Sequence, residues 1–321
     1  MDFLMGNNTA GLIGSCQLKL KRAIQIVAAL TCVLPIAVNA LPDEVSSDAR
    51  LADDVKTGPS IRIIALAPHI VEMLDDIGAY EQIIAASEHS DHPAKAKQLP
   101  RVGNYARLSI EKILLLQPDI IIAWKTGVPM SDIEQLQKHG LTVVYSDPRQ
   151  LEDVAKEFQW LGKLTGRRDI AEQKAKEYRT RLANLRQQYQ DKQRIKVFYE
   201  LWPKPLTTVA GNAWPQQQLT VCGATNPFKD AISDYPQINL EQVIVANPSI
   251  IIQPTSSHGL ASDAIDWQQY NSVRAAQHQQ IIRPNADILH RMSYRLLDEL
   301  QSLCQHIDNS RLYYRQRKQN H

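Results

Sequence analysis

The sequence contains none of the short motifs that mark phosphate, acyl-transfer or zinc-peptidase chemistry. There is no G-x-S-x-G, no Walker loop, no G-x-G-x-x-G after a strand and no H-E-x-x-H, and none of the 13 glycines forms a phosphate cradle. These absences favour binding over catalysis. An excess of charge is missing as well. The 36 Lys+Arg and 34 Asp+Glu leave only +2, and without Lys19, Lys21, Arg22 and Asp2 of the first forty residues the remainder balances. A balanced surface offers no footprint for nucleic acid. The one basic run, Arg311 to Lys318, reads as a solvated tail over 309–321.

Cysteine is scarce, and two of the four fall at the start of the chain. Lys19, Lys21 and Arg22 precede an apolar run from Ile24 to Ala37, and Val38-Asn39-Ala40 places small residues before a cleavage point. Residues 1–40 are expected to be a cleaved signal peptide, with Met5 as an alternative start and a retained anchor as the competing reading. Neither Cys16 nor Cys32 sits in a lipoprotein pattern. Residues 41–59 are polar and acidic and read as a linker without fixed structure. That leaves Cys222 and Cys304 in an oxidising compartment, both in apolar helical surroundings. A structural disulfide is the favoured reading, and two buried free thiols are the alternative. A bridge would tie the final helix, near Leu296–Ile307, to the helix carrying Leu219 and Val221, worth on the order of 2–4 kcal/mol.

What is present is a duplication. Residues 109–123 read S-I-E-K-I-L-L-L-Q-P-D-I-I-I-A, and residues 239–253 read N-L-E-Q-V-I-V-A-N-P-S-I-I-I-Q. Each copy predicts a cap (Ser109, Asn239), a short helix with an acid in its first turn (Glu111, Glu241), a stop before Pro118 or Pro248, and a buried strand. Tyr105 and Tyr235 each stand four residues ahead of the cap, and Asp147 and Asp287 extend the match to the lobe ends. Around these copies strands and helices alternate. The pattern predicts an N-terminal α/β lobe over 60–148, a helical connector without strands over 149–193, and a second α/β lobe over 194–308. Gly166 should break the connector, and the helix from Ile170 to about Tyr189 should be about 30 Å long. In the second lobe a helix is expected around Asp266–Ala276. A ligand between the two halves is the default expectation.

Three groups of side chains carry candidate chemistry. His89 and His92, with Glu88, Asp91, His69 and His290, are metal-like in type. Two histidines in a polar loop before a proline are more often an exposed turn, so no metal site is assigned. Loop aromatics are the stronger signal. Tyr105 and Trp124 in the first half, and Tyr235 with Trp202 or Trp214 in the second, fall where βα-loops leave a parallel sheet, and such rings suit a large flat ligand. Inter-lobe packing is the competing role. Trp160 reads as core. Glu111 and Glu241 each stabilise a first helical turn by about 0.3–1 kcal/mol, but equivalent places in two lobes would also offer two anchors to a two-fold partner.

Residues 61–307 resemble the periplasmic cobalamin-binding proteins, substrate receptors of vitamin importers of the ABC class, within the group that also serves siderophores and haem. The matching segments are Leu108-Ser-Ile-Glu-Lys-Ile, Pro118 through Trp124, Val221-Cys-Gly-Ala-Thr-Asn-Pro-Phe-Lys-Asp230, Pro236 through Gln242, Asp287 through Arg291, and Leu303-Cys304. The resemblance implies the class III binding-protein fold: two α/β lobes with parallel sheets, joined by a long rigid helix, closing little on the ligand. It implies a Cys222–Cys304 disulfide, corrin contacts from Tyr105, Trp124 and Tyr235, and contacts to the ligand's polar rim from Asp287, Ile288, Leu289, His290 and Arg291. Glu111 and Glu241 would dock on arginines of the permease. His89 stands where the family often has tyrosine, adding a nitrogen able to face cobalt, while Tyr105 and Tyr235 stand where tryptophan is common. The expectation is an exported monomeric receptor, not an enzyme, with cobalamin as cargo rather than cofactor and a permease–ATPase complex as partner. The alternatives are a receptor for a ferric siderophore or haem and, with less weight, a periplasmic metal-dependent hydrolase.

Overall fold

The computed structural model describes residues 56–256 and 264–319; the expected leader and residues 41–55 of the expected linker lie outside the described residues. Strands β1 (Ile63–Leu66), β2 (Ile83–Ala86), β3 (Ile120–Trp124) and β4 (Val143–Ser146) pair in parallel in the order β2-β1-β3-β4. Their unbroken apolar runs are explained by burial on both faces. Ile63, Ala65, Ile120 and Ile122 join one core with Leu74 and Phe158, while Ile64, Leu66, Ile121 and Ala123 join another with Ile113 and Leu136. The first core is covered by α1 (Pro68–Asp76), and the second by α2 (Ile110–Leu116) and α3 (Met130–Lys138).

The connector is a helical hairpin. Helix α4 (Asp153–Thr165) stops at Gly166, whose φ of 72° is left-handed, and α5 (Arg168–Tyr189) follows. At 1.5 Å per residue the 22 residues of α5 span about 33 Å. A Cβ at Gly162 would lie 2.3 Å from the Ala171 Cβ, so glycine is what lets α4 and α5 approach so closely.

The second lobe repeats the first. Strand β5 (Ile195–Tyr199) opens it, and after a hairpin of β6 (Trp202–Pro203) and β7 (Leu206–Thr207) come α6 (Trp214–Val221) and β8 (Ala224–Thr225). Helix α7 (Leu240–Ala246), β9 (Ile250–Ile252), α8 (Arg274–Gln277), β10 (Ile281–Ile282), α9 (Ala286–Leu289) and α10 (Leu296–Gln319) complete it. The sheet order β10-β9-β5-β8 is that of the first lobe read from the other side. Val197, Tyr199, Ile250 and Ile252 share the core that holds Ile63 and Phe158, and Leu300, Leu303 and Ile307 of α10 belong to it too. One face of each sheet is therefore welded through α4, α5 and α10 into a single packed body. The Cys222–Cys304 disulfide, closing 82 residues, ties the end of α6 to α10.

Several expectations change. Residues 56–59 of the expected linker are in contact with the fold: Lys56 pairs with Asp119 at 2.8 Å, and Gly58 N donates to Leu164 O at 2.9 Å. The expected solvated tail is instead the end of α10. Arg311 donates to Gln193 O and Cys222 O, and Tyr314 donates to Ser249 O at 2.9 Å, so packing carries the helix on to Gln319. The expected helix at 266–276 is a 3₁₀ turn at Trp267–Gln269 and the short α8. Asn271 and Ser272 lie between them, residues that favour turns over helix interiors. Of the two expected caps, Asn239 forms a full capping box with Gln242, whereas the Ser109 side chain makes no cap bond. Its ψ of 86° is short of the extended value a cap needs, and the chain there is held by Asp132 Oδ2 on Leu108 N at 2.7 Å.

Candidate functional site

The strands of each sheet are parallel, so all their C-terminal ends lie at one edge, where loops can form a crevice. A cleft of about 580 Å³ opens there between the lobes. The first lobe lines it with Trp124, Thr126, Asp147 and Arg149, and the second with Trp214, Asp234, Tyr235 and Met292. Trp124 is the last residue of β3, and Trp214 the first of α6.

Trp124 is held from two sides. The His69 ring meets it edge-on, with centroids 5.7 Å apart at 88°, and His69 Nε2 lies 3.2 Å from Ser146 Oγ. Burial drives the His69 pKa down to about 4, so this ring is a neutral wedge. On the other side the indole covers Gly127, where a Cβ would stand 2.0 Å from Trp124 Cε3. Opposite, burial raises the Tyr235 phenol, so it stays a neutral hydrogen-bonding edge. The polar rim is Asp147, paired with Arg149 at 3.0 Å and with Lys125 at 3.6 Å. Trp124 from the first lobe and Tyr235 from the second thus offer apolar ring faces with polar edges, while Trp214, only 6% exposed, backs the wall from the core, an arrangement suited to a large, partly flat ligand.

Below this cleft the lobes are clasped. Glu72 of α1, only 1% exposed in its side chain, takes Arg291 at 2.9 Å and Arg295 at 2.7 Å, and it accepts from Ser293 Oγ. Arg291 also pairs with Asp91 at 2.8 Å and donates to His89 O at 3.1 Å. Burial works against the Glu72 charge, but the bonds from Arg295, Ser293 and Arg291 outweigh it and hold its pKa below the ordinary value.

The residues expected at the ligand separate accordingly. Trp124 and Tyr235 line the cleft. Tyr105 is 77% exposed on the loop after Gly103 and is not part of the lining, nor is His89, exposed at a left-handed φ of 64°. Asp287 and Ile288 are partly exposed on α9. Leu289 is fully enclosed, so its side chain is core rather than ligand contact. His290 Nε2 is 2.7 Å from the Tyr199 hydroxyl, and burial lowers its pKa to about 4. Arg291, expected at the ligand rim, is committed to Glu72 and Asp91. Glu111 and Glu241 are exposed at the starts of α2 and α7. Trp202 is exposed on the β6–β7 hairpin, and Trp160 is core.

The metal-like residues are dispersed. Glu88 accepts from Asn104, Asp91 serves Arg291, and His69 and His290 serve Ser146 and Tyr199. Among the described residues no group of three or more His, Cys, Asp or Glu could hold a metal ion. Sequence reasoning missed Glu72, Gly127, Arg149 and Met292. Only Gly127, three residues after an already suspected tryptophan, carried any local signal.

Two four-stranded α/β lobes facing across an aromatic cleft, with a helical joint, define a class III substrate-binding protein. The chain belongs to the periplasmic binding protein family, whose family model matches residues 63–287. It is 34% identical over 265 residues to the vitamin B12-binding protein of Vibrio campbellii, covering 83% of this chain and 94% of that one. It is 37% identical over 253 residues to the Vibrio cholerae protein of the same name, covering 78% of this chain and 91% of that one. Among solved structures, the periplasmic vitamin B12-binding protein BtuF of Vibrio cholerae superposes with a TM-score of 0.72 at 36% identity, over 79% of this chain and 99% of that one. The haem-binding protein RhuT from Roseiflexus, with a TM-score of 0.70 at 20% identity over 78% of this chain and 99% of that one, shares the fold.

Proposed function

We propose that the protein is an exported receptor that captures cobalamin between its lobes and delivers it to an inner-membrane importer of the ABC class. The observation that carries this reading is the cleft lined by Trp124, Trp214 and Tyr235 from both lobes, in a chain 37% identical to a vitamin B12-binding protein. Burial of ring faces against the corrin supplies affinity. Asp287, Ile288 and the Asp147–Arg149 rim meet the ligand's polar periphery, with Tyr105 and His89 at its outer edge. Arg291 and His290 act from beneath, holding the lobes and α9 in place. No covalent step is involved, and cobalamin is cargo rather than cofactor.

The receptor works as a monomer, and residues 1–40 are removed on export. Glu111 and Glu241 dock on basic residues of a two-fold permease. Each is followed four residues later, on the same helix face, by an exposed aliphatic, Leu115 or Val245, which suits a contact with a partner's apolar surface. Calorimetric titration with cobalamin, haem and a ferric siderophore in parallel tests the reading. Saturable one-to-one binding of cobalamin alone is expected. Failure to bind cobalamin overturns it, and haem or siderophore binding in its place would move the receptor to that ligand.

A further inference from the structure

The basic end of α10 meets two other basic segments at the opposite end of the second lobe from the cleft. Parallel strands place the start of β5 at the sheet edge remote from the ligand crevice. A hollow of about 350 Å³ lies there. Arg194 enters it from just ahead of β5, Lys196 from β5, Arg274 from α8, and Arg311, Arg315 and Lys318 from α10. The last three are spaced i, i+4, i+7, so one helix face presents them all. Among the described residues no carboxylate lines the hollow, in a chain whose charges otherwise nearly cancel.

Half of these cations are committed. Arg311 pairs with Asp308 at 3.1 Å, an acid it shares with Lys192, and Lys196 Nζ donates to Ala246 O at 2.7 Å. The Arg274 guanidinium lies 4.2 Å from the centre of the Tyr314 ring, itself pinned to Ser249 O. These form a rigid floor. Arg194, Arg315 and Lys318 are exposed and have no hydrogen bond or ion pair from their side chains to another described residue. Three unneutralised cations around a fixed basic floor repel one another, and a multivalent oxyanion relieves that repulsion. The forked guanidinium matches phosphate oxygens in particular.

We propose that this hollow is a second binding site, specific for a phosphate-bearing anion, independent of the inter-lobe cleft. The test is calorimetric titration of the full protein with inorganic pyrophosphate against chloride at matched ionic strength. One-to-one binding is expected, weakened about tenfold or more in Arg315→Glu/Lys318→Glu. It should be unchanged in the charge-matched Arg168→Glu/Lys176→Glu on the exposed face of α5. Far-UV circular dichroism checks that both variants fold. Phosphatidylglycerol vesicles that bind and are displaced by pyrophosphate identify a lipid headgroup as the source, while vesicles that do not bind assign the site to a soluble phosphate ester. No pyrophosphate binding, or equal binding by both variants, overturns the proposal.

Discussion

The two lobes are built on one plan and finished differently. Both sheets follow the same strand order, and α2 and α7 both end on a left-handed residue ahead of a proline, Gln117 at φ 46° and Asn247 at φ 44°. Leu115 and Val245, at matching positions, are 83% and 85% exposed. Yet α7 is started by its own capping box, whereas α2 has no side-chain cap and a carboxylate from α3 holds the chain just ahead of it, and among the described residues only the second lobe carries a hairpin of paired strands and a disulfide. What is common to both is the sheet topology and the outward face of the repeated helix. The local means of fixing each helix start is free to vary, because first-turn N–H groups at an exposed helix end can be met by a side-chain acceptor or by water.

The equivalence of the outward faces is the point most easily broken. Reversing Glu111 and Glu241 together is expected to abolish vitamin uptake while leaving cobalamin affinity unchanged, and each single reversal should cost transport by a similar factor. A strongly unequal pair of single effects would show that the lobes dock differently, and a loss of affinity would return both residues to helix stabilisation. Next in size is the clasp, where the lobes stop being alike because Glu72 takes all its charged partners from the second. Glu72→Ala leaves Arg295 unpaired and Arg291 half paired, and should cost about 3–5 kcal/mol in denaturant unfolding.

His69 and His290 sharpen the comparison through pH. Both are held neutral by burial, with folded values of about 4 against 6.5 unfolded. Their contribution is complete above pH 6.5 and is lost as pH falls toward 4, because the unfolded chain takes up the protons first. Asp76, pushed up to about 7 by burial, acts in the opposite sense over the acid range. The measurement is therefore the slope of unfolding free energy against pH in single variants. It should become shallower in His69→Phe and in His290→Phe, and an unchanged slope in both would discount the buried neutral rings.

Gly127→Ala is expected to weaken cobalamin binding about tenfold, roughly 1.4 kcal/mol, by pushing the Trp124 indole out of position. Stability should change little at this surface turn, and an unaltered affinity would show that the indole does not face the ligand. The smallest effect separates the caps: Asn239→Ala should cost about 1 kcal/mol and Ser109→Ala less than about 0.5 kcal/mol, measured by thermal unfolding. Equal losses would mean that Ser109 caps in solution.

Much of this was legible along the chain. The run Ile120–Ala123 reads as a strand covered on both faces because its residues are apolar without alternation, and Pro118 and Pro248 mark where the preceding helices must stop. Trp124 could be placed at the crevice between the lobes because the end of a parallel strand is where such crevices form. The partners of Arg291 could not be read. An arginine near the end of a lobe looks like a ligand contact until Glu72 and Asp91, some two hundred residues earlier, are seen to occupy it. The tail failed for a similar reason, since Arg311 and Tyr314 are polar in sequence but close on backbone carbonyls far away.

The sequence alone determined the duplicated α/β plan, the helical connector, the pairing of Cys222 with Cys304 as the favoured bridge, and the aromatic character of the cleft. These follow from periodicity, caps and prolines, which act within one or two turns of the chain. Tertiary structure alone decided which charges clasp the lobes, what seats Trp124, and why six cations gather beside β5. Those outcomes depend on groups brought together from distant segments, where desolvation and contact distance, rather than local propensity, set the free energy.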